Sequence, residues 1–204
     1  MGLRHLAIIP DGNRRWAKQH RVNVMAGYKA GADRMLEVVG WCLKHRIPHL
    51  SGFILSKDNT RKRPDEEIVA IREATLYFLR EIDRLKLNIR LCGDVRDQHR
   101  LWNQEAFSSL DCTDRRKAPL TFWGMVNHSR TDDLGFDFPY QHWAVPDVDL
   151  LIRTGDRQRL DGFMPMKIAY SEILFLSKMW PNFTVRDMDK ALAWYRSRKR
   201  TQGE

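Results

Sequence analysis

No stretch of this 204-residue chain comes near the ~20 consecutive apolar residues that a membrane-spanning helix needs. The opening segment, MGLRHLAIIPDGN, has too short an apolar part for a secretory signal and runs straight into Pro10-Asp11-Gly12-Asn13. Gly2 follows Met1, but Leu6 stands where myristoylation needs Ser or Thr. A cytoplasmic protein with no integral membrane segment is expected. Cysteine is scarce and odd in number: Cys42, Cys92 and Cys112 share no metal-like spacing, which excludes a disulfide framework and a zinc module. The seven histidines show no ligand pattern, and Pro48 between His45 and His49 argues against a shared helical face. Repeats and low-complexity tracts are absent, so solenoids and arrays are excluded.

What is present is apolar and charged in globular proportion. Hydrophobic residues make up 43% and charged residues 30%, which excludes a disordered chain. The length suits one domain, residues 1–204. Net charge is +9 and the pI about 9.7. The whole excess lies in residues 1–64, where 13 Lys/Arg face 4 Asp/Glu, and the remainder is neutral. Such an excess implies an anionic partner: nucleic acid, lipid headgroups or a phosphorylated small molecule. No nucleic-acid motif supports the first.

Six apolar runs read as strands: Leu6–Ile9, His49–Leu55, Leu87–Cys92, Leu120–Val126, Asp149–Arg153 and Ile173–Leu176. Helical periodicity begins at Arg14, resumes over Ala30–Lys44, follows the acidic turn Asp65-Glu66-Glu67, and returns from Val185. Lys57–Pro64 reads as a basic loop and Asn127–Val145 as a long irregular one. Alternation of this kind predicts an α/β fold, a mostly parallel sheet of about six strands flanked by helices on both faces. In such sheets ligands bind beyond the carboxyl ends of the strands.

Three strand ends carry unusual polarity. Pro10-Asp11-Gly12-Asn13-Arg14-Arg15-Trp16 is a Gly-containing turn opening a helix, which suits phosphate; Arg15 can add a bidentate clamp and Asp11 can hold magnesium. An ordinary strand-to-helix turn capped by Asp11 or Asn13 explains the same residues. Arg153-Thr-Gly-Asp-Arg157-Gln-Arg159 and Lys57–Arg63 are the other two, each readable as an anion cradle or as a solvated basic loop. Three such segments at strand ends of one sheet would converge on one face. Asp132, Asp133 and Asp137 superficially resemble the aspartate-rich magnesium motif of head-to-tail terpenoid enzymes, but stand in a Gly/Pro-rich loop where that motif needs a helix.

In order along the chain, five segments together resemble the cis-prenyltransferases, the family of undecaprenyl diphosphate synthase. They are His5-Leu-Ala-Ile-Ile-Pro-Asp-Gly-Asn-Arg-Arg-Trp-Ala-Lys18, Gly27-Tyr-Lys-Ala-Gly31, Ser56-Lys-Asp-Asn59 with Arg63-Pro64, Asp149-Leu-Leu-Ile-Arg-Thr-Gly155, and Ala169-Tyr-Ser-Glu172 followed by Trp180-Pro181. The resemblance implies a parallel-sheet homodimer that joins allylic and homoallylic diphosphates with magnesium. It implies that Asp11 holds the metal and assists diphosphate departure, and that Gly12, Asn13, Arg14 and Arg15 bind the allylic diphosphate beside Trp16. Ser56, Asn59 and Arg63 match the loop that positions the allylic substrate and assists proton removal, with Asn59 in a catalytic role. Arg153 and Arg159 match ligands of the homoallylic diphosphate, and Glu172 a carboxylate of the metal and dimer-interface site. Ile68, Ile71, Leu76 and Phe78 could supply a dry apolar wall for a carbocation.

The sequence also departs from that pattern. Val24 stands where chain-elongating members usually have an arginine, Tyr28 replaces the usual histidine, and Asp156 replaces a glycine. Thr60 or Arg61 stands where a tryptophan is common, and the segment after Asn127 is shortened. Asp161 replaces a serine beside the homoallylic site, where a carboxylate would repel diphosphate. Two outcomes stay open within the resemblance. One is cis condensation with isopentenyl diphosphate to a short product; the other is irregular coupling or cyclisation of an allylic diphosphate. A non-catalytic partner subunit of the same fold would lack Asp11 and Arg15, which are retained here.

Overall fold

The computed structural model describes residues 2–93, 115, 117–130 and 144–199. Strand β1 (His5–Ile9) leads through helices α1 (Asn13–Gln19) and α2 (Val24–Lys44) to β2 (His49–Ser56). Helices α3 (Lys57–Lys62) and α4 (Asp65–Arg84) follow, then β3 (Asn88–Cys92), β4 (Thr121–His128), β5 (Leu150–Arg153) and β6 (Glu172–Phe175). A 3-10 turn (Trp180–Asn182) precedes the last helix, α5 (Val185–Ser197). The six strands form one sheet in the order β3-β4-β2-β1-β5-β6, and every pairing is parallel.

A parallel sheet must be covered on both faces, so its strands read as continuous apolar runs. Alternation along β1 shows how. Leu6 and Ile8 join the cluster formed with α2, α4 and α5, through Val39, Leu79 and Leu192 among others. Ala7 and Ile9 point to the opposite face, where Phe53, Trp123 and Leu151 meet Val145, Val148, Phe163 and Met164. Among the described residues, that second face is covered by irregular segments 144–148 and 160–168, while the described long helices share the first.

Two expectations on local structure are corrected. Helix α2 starts at Val24 rather than Ala30, because the Asn23 side chain accepts from the Ala26 amide at 2.8 Å and caps it. Lys57–Lys62 is not a loop but helix α3, capped by Ser56, whose hydroxyl accepts from the Asn59 amide at 3.1 Å. The expected irregular stretch Asn127–Val145 begins inside β4, and its acidic triplet at Asp132, Asp133 and Asp137 lies outside the described residues.

At the amino ends of the strands, Asp149 ties β1 to β5 by accepting from the amides of Arg4 (2.7 Å) and His5 (2.9 Å). The His5 ring is buried between the Pro146 carbonyl (2.9 Å) and the Ser51 hydroxyl (2.8 Å). A buried imidazolium would lose its hydration and face His49, so the His5 pKa falls from 6.5 to about 4. The unfolded chain then binds the extra proton between these values, and stability falls as pH drops from 6.5 towards 4. A melting series over that window should show the decline, with a shallower slope in His5→Gln. Identical slopes in the two proteins would assign the acid sensitivity elsewhere.

Candidate functional site

The carboxyl ends of β1, β2 and β5 open onto one cavity of about 360 Å³. Asp11 follows β1, Ser56 ends β2 and Arg153 ends β5, so the parallel sheet itself brings the three segments together. Six arginines line the cavity (Arg14, Arg15, Arg63, Arg153, Arg157 and Arg159) against two aspartates, Asp11 and Asp161. Helix α1 has only seven residues. The guanidinium groups, more than a helix dipole, therefore make this a site for an anion.

Asp11 sits between two of them. Its carboxylate accepts from Arg15 Nη2 at 3.2 Å and from Arg153 Nη2 at 3.0 Å, and remains 32% exposed. Arg153 is 1% exposed, and its Nη1 pairs with Asp161 at 2.9 Å and donates to the Arg159 carbonyl. Arg159 Nε meets the other Asp161 oxygen at 2.7 Å. The backbone closes tightly around this cluster. A Cβ on Gly155 would stand 2.6 Å from Arg15 Nη2 and 2.9 Å from the Asp11 carbonyl oxygen, and its φ of +87° favours glycine.

A second cluster holds the other wall. Glu67, in the first turn of α4, has a side chain only 6% exposed. It accepts from Arg63 Nη1 at 2.8 Å, Tyr28 Oη at 2.6 Å and Arg14 Nη1 at 3.2 Å. Arg63 also donates to the Tyr28 hydroxyl. Burial pushes the Tyr28 phenol above its ordinary range, against the pull of Arg63, so it stays a neutral donor. In the sequence Glu67 stands out only as part of the acidic first turn of α4. Its position four residues after Arg63, on the helix face that points inward, was the available signal.

Behind the polar mouth the cavity is apolar. Ile71, Ala74, Thr75 and Phe78 form one stripe of α4, and Met35, Leu55 and Phe122 complete the wall. Phe78 and Phe122 meet edge to face with ring centroids 4.8 Å apart. Ile71 and Phe78 line the cavity as expected; Ile68, packed with Leu55 and Ile71, and Leu76, which lies off that helix stripe, are buried without lining it.

Gly12, Asn13, Arg14, Arg15, Tyr28, Ser56, Asn59, Arg63, Arg153, Arg159 and Asp161 all line the cavity with Asp11. Two expected residues do not. Trp16 turns away, donating from Nε1 to Asn182 Oδ1 at 2.8 Å and stacking on His20. Glu172 opens β6 opposite Leu150, at the far end of the sheet, and pairs with Arg198 at 3.4 Å, so one chain does not bring it to Asp11. Asn13 anchors α1 instead of facing outward: a Cβ on Gly31 of α2 would stand 2.3 Å from its Oδ1, so only glycine permits this approach.

The Prenyltransf family model, which describes undecaprenyl diphosphate synthases, matches residues 9–135 and 136–203. An isoprenyl transferase of Rickettsia prowazekii is 29% identical over 99% of this chain and 98% of its own length. A ditrans,polycis-undecaprenyl-diphosphate synthase of Coxiella burnetii, specific for (2E,6E)-farnesyl diphosphate, is 30% identical over 98% of this chain and 95% of its own length. Among solved structures, lavandulyl diphosphate synthase from Lavandula x intermedia, in complex with dimethylallyl diphosphate, superposes with a TM-score of 0.85 at 26% identity. That match covers 99% of this chain and 98% of the other.

The Glu67 cluster has a measurable stability. Glu67→Ala strands three donors around a buried gap and should cost about 1–3 kcal/mol in urea unfolding. Glu67→Gln keeps an acceptor oxygen and should lose less. Equal unfolding midpoints for Glu67→Ala and the parent would remove the cluster from the account of stability.

Proposed function

The chain belongs to the undecaprenyl diphosphate synthase family of prenyltransferases, and from that premise we propose that it joins two short isoprenoid diphosphates. The observation that carries this reading is the cavity itself, about 360 Å³ in all, with arginines at its open mouth and an apolar wall behind them. That volume is at the small end of the roughly 300–1,000 Å³ typical of small-molecule sites, which suits a short product and not a long polyprenyl chain.

In this reading Arg14, Arg15 and Arg63 hold the allylic diphosphate, with Tyr28 and Glu67 fixing Arg63. The hydrocarbon lies along Ile71, Ala74 and Phe78. Cleavage of the allylic C–O bond sends its electron pair to the departing diphosphate, and the arginines stabilise the charge that develops there. The apolar wall keeps water from the carbocation. A second diphosphate, held towards Arg153 and Arg159, contributes its double-bond electrons to the new C–C bond. The resulting cation loses a proton to the departed diphosphate, with Asn59 and Ser56 orienting that group.

Magnesium fits the donor set. Asp11 presents one partly exposed carboxylate to a cavity shaped for diphosphate oxygens, and magnesium is commonly bound by one or two carboxylates plus substrate phosphates. Among the described residues no three His, Cys, Asp or Glu side chains form a cage, so the substrate would complete the coordination. When bound, the ion neutralises part of the leaving group's charge.

Two readings of the second substrate follow. Retained Arg153 and Arg159 favour cis condensation with isopentenyl diphosphate. The Asp161 carboxylate on both arginines, and the likeness to a lavandulyl diphosphate synthase bound to dimethylallyl diphosphate, favour irregular coupling of two allylic molecules. We also read the chain as a cytoplasmic homodimer of one domain, associating through the edge strand β6. Its four residues are only partly buried, Tyr170 two residues before it is exposed, and Glu172 lies at this edge. No described helix is long and apolar enough to cross a membrane.

The deciding experiment is incubation with magnesium and labelled dimethylallyl, geranyl or farnesyl diphosphate, with and without isopentenyl diphosphate, read by mass spectrometry. Product formed without isopentenyl diphosphate would exclude ordinary elongation as the sole reaction. No product from any pair would defeat the proposal. Asp11→Ala should lower turnover by at least about 100-fold, the scale of losing a group that stabilises developing charge, while leaving the melting curve cooperative.

A further inference from the structure

Asp161 takes no part in the chemistry above, yet it holds both cations of the second subsite. One carboxylate oxygen meets Arg153 Nη1 at 2.9 Å, and the other meets Arg159 Nε at 2.7 Å. These are the lengths of charge-assisted hydrogen bonds, with one acceptor oxygen on each guanidinium. Arg153 Nη2 is already taken by Asp11 at 3.0 Å, and its Nε is buried with no partner among the described residues. A diphosphate approaching Arg153 therefore finds both terminal nitrogens engaged.

The backbone presents this carboxylate deliberately to the arginines. Asp161 has φ of +49° and Gly162 follows with φ of +80°, two left-handed residues in succession. Aspartate is among the few non-glycine residues that adopt this conformation readily. The Asp161 side chain is 33% exposed and that of Arg159 is 64% exposed, so an incoming anion can reach both from solvent, whereas Arg153 is 1% exposed.

We propose that Asp161 is the built-in occupant of the second diphosphate subsite, a specificity-determining carboxylate that the incoming substrate displaces from Arg153 and Arg159. This rests on the reading that the cavity couples two isoprenoid diphosphates. A diphosphate offers more negative charge and more acceptor oxygens than one carboxylate, so it wins the exchange. A monophosphate offers less and is disfavoured. The second subsite is accordingly weak and selective, while the first is untouched.

Calorimetric titration of isopentenyl diphosphate tests this, in protein pre-saturated with magnesium and the unreactive thio analogue of dimethylallyl diphosphate. Asp161→Asn, which is isosteric and tolerates positive φ, and Asp161→Ser should each bind isopentenyl diphosphate about tenfold more tightly, the scale of one charge-assisted hydrogen bond. Isopentenyl monophosphate should gain more than the diphosphate, narrowing the difference between them. Affinity for the thio analogue should stay unchanged. Equal or weaker isopentenyl diphosphate binding in both folded variants would overturn the proposal and make Asp161 an organiser of the arginines. Wild-type protein that binds the analogue while the variants gain nothing defeats this inference alone. Wild-type protein that binds neither ligand defeats the coupling reading and this inference with it.

Discussion

A guanidinium buried at the end of β5 is the constraint from which the rest of the site follows. Burying a charge costs several kcal/mol unless it is paired and hydrogen-bonded. Arg153 meets that demand with Asp11 from the β1 turn, Asp161 from the following loop, and the Arg159 carbonyl. Each partner is thereby drawn to the end of β5. Asp11 is held where its carboxylate faces the cavity, and Arg15 and Gly155 lock against it. The loop from Asp156 to Asp161 is folded back over the strand end by the same pairing.

The second cluster repeats this logic on the opposite wall. Glu67 is a buried anion that gathers Arg63, Tyr28 and Arg14. Because it opens α4, the helix whose stripe lines the apolar interior, it couples the position of the cationic mouth to that of the hydrocarbon wall. The two clusters therefore carry opposite signs at their centres: a buried cation held by anions, and a buried anion holding cations. Between them the net charge at the mouth stays positive, which is what an anionic substrate requires.

Much of the architecture was legible because it depends on local chemistry. Apolar runs marked all six strands within one or two residues. The errors came from polar capping, not from hydrophobicity. Asn23 extends α2 by six residues, and Ser56 turns a basic stretch into α3; neither signal shows in an apolar pattern. Cavity residues were legible as a set because a parallel sheet brings the ends of its strands to one edge. Trp16 and Glu172 were placed with that set by their motifs, but the tertiary structure turns one towards Asn182 and leaves the other at the opposite end of β6.

The sequence by itself determined the alternation of strands and helices, the family and the cationic character of the strand-end segments. All three reside in short segments whose order and spacing are readable without contacts. Only the tertiary structure decided which charges meet. Arg153 and Asp11 are 142 residues apart, and Tyr28 and Glu67 are 39 apart. Net charge cannot distinguish a free arginine from one already held by a carboxylate. The carboxylate at Asp161 was visible as a departure from the family pattern. That it closes on two arginines depends on a left-handed turn and a buried strand end that exist only in the folded chain.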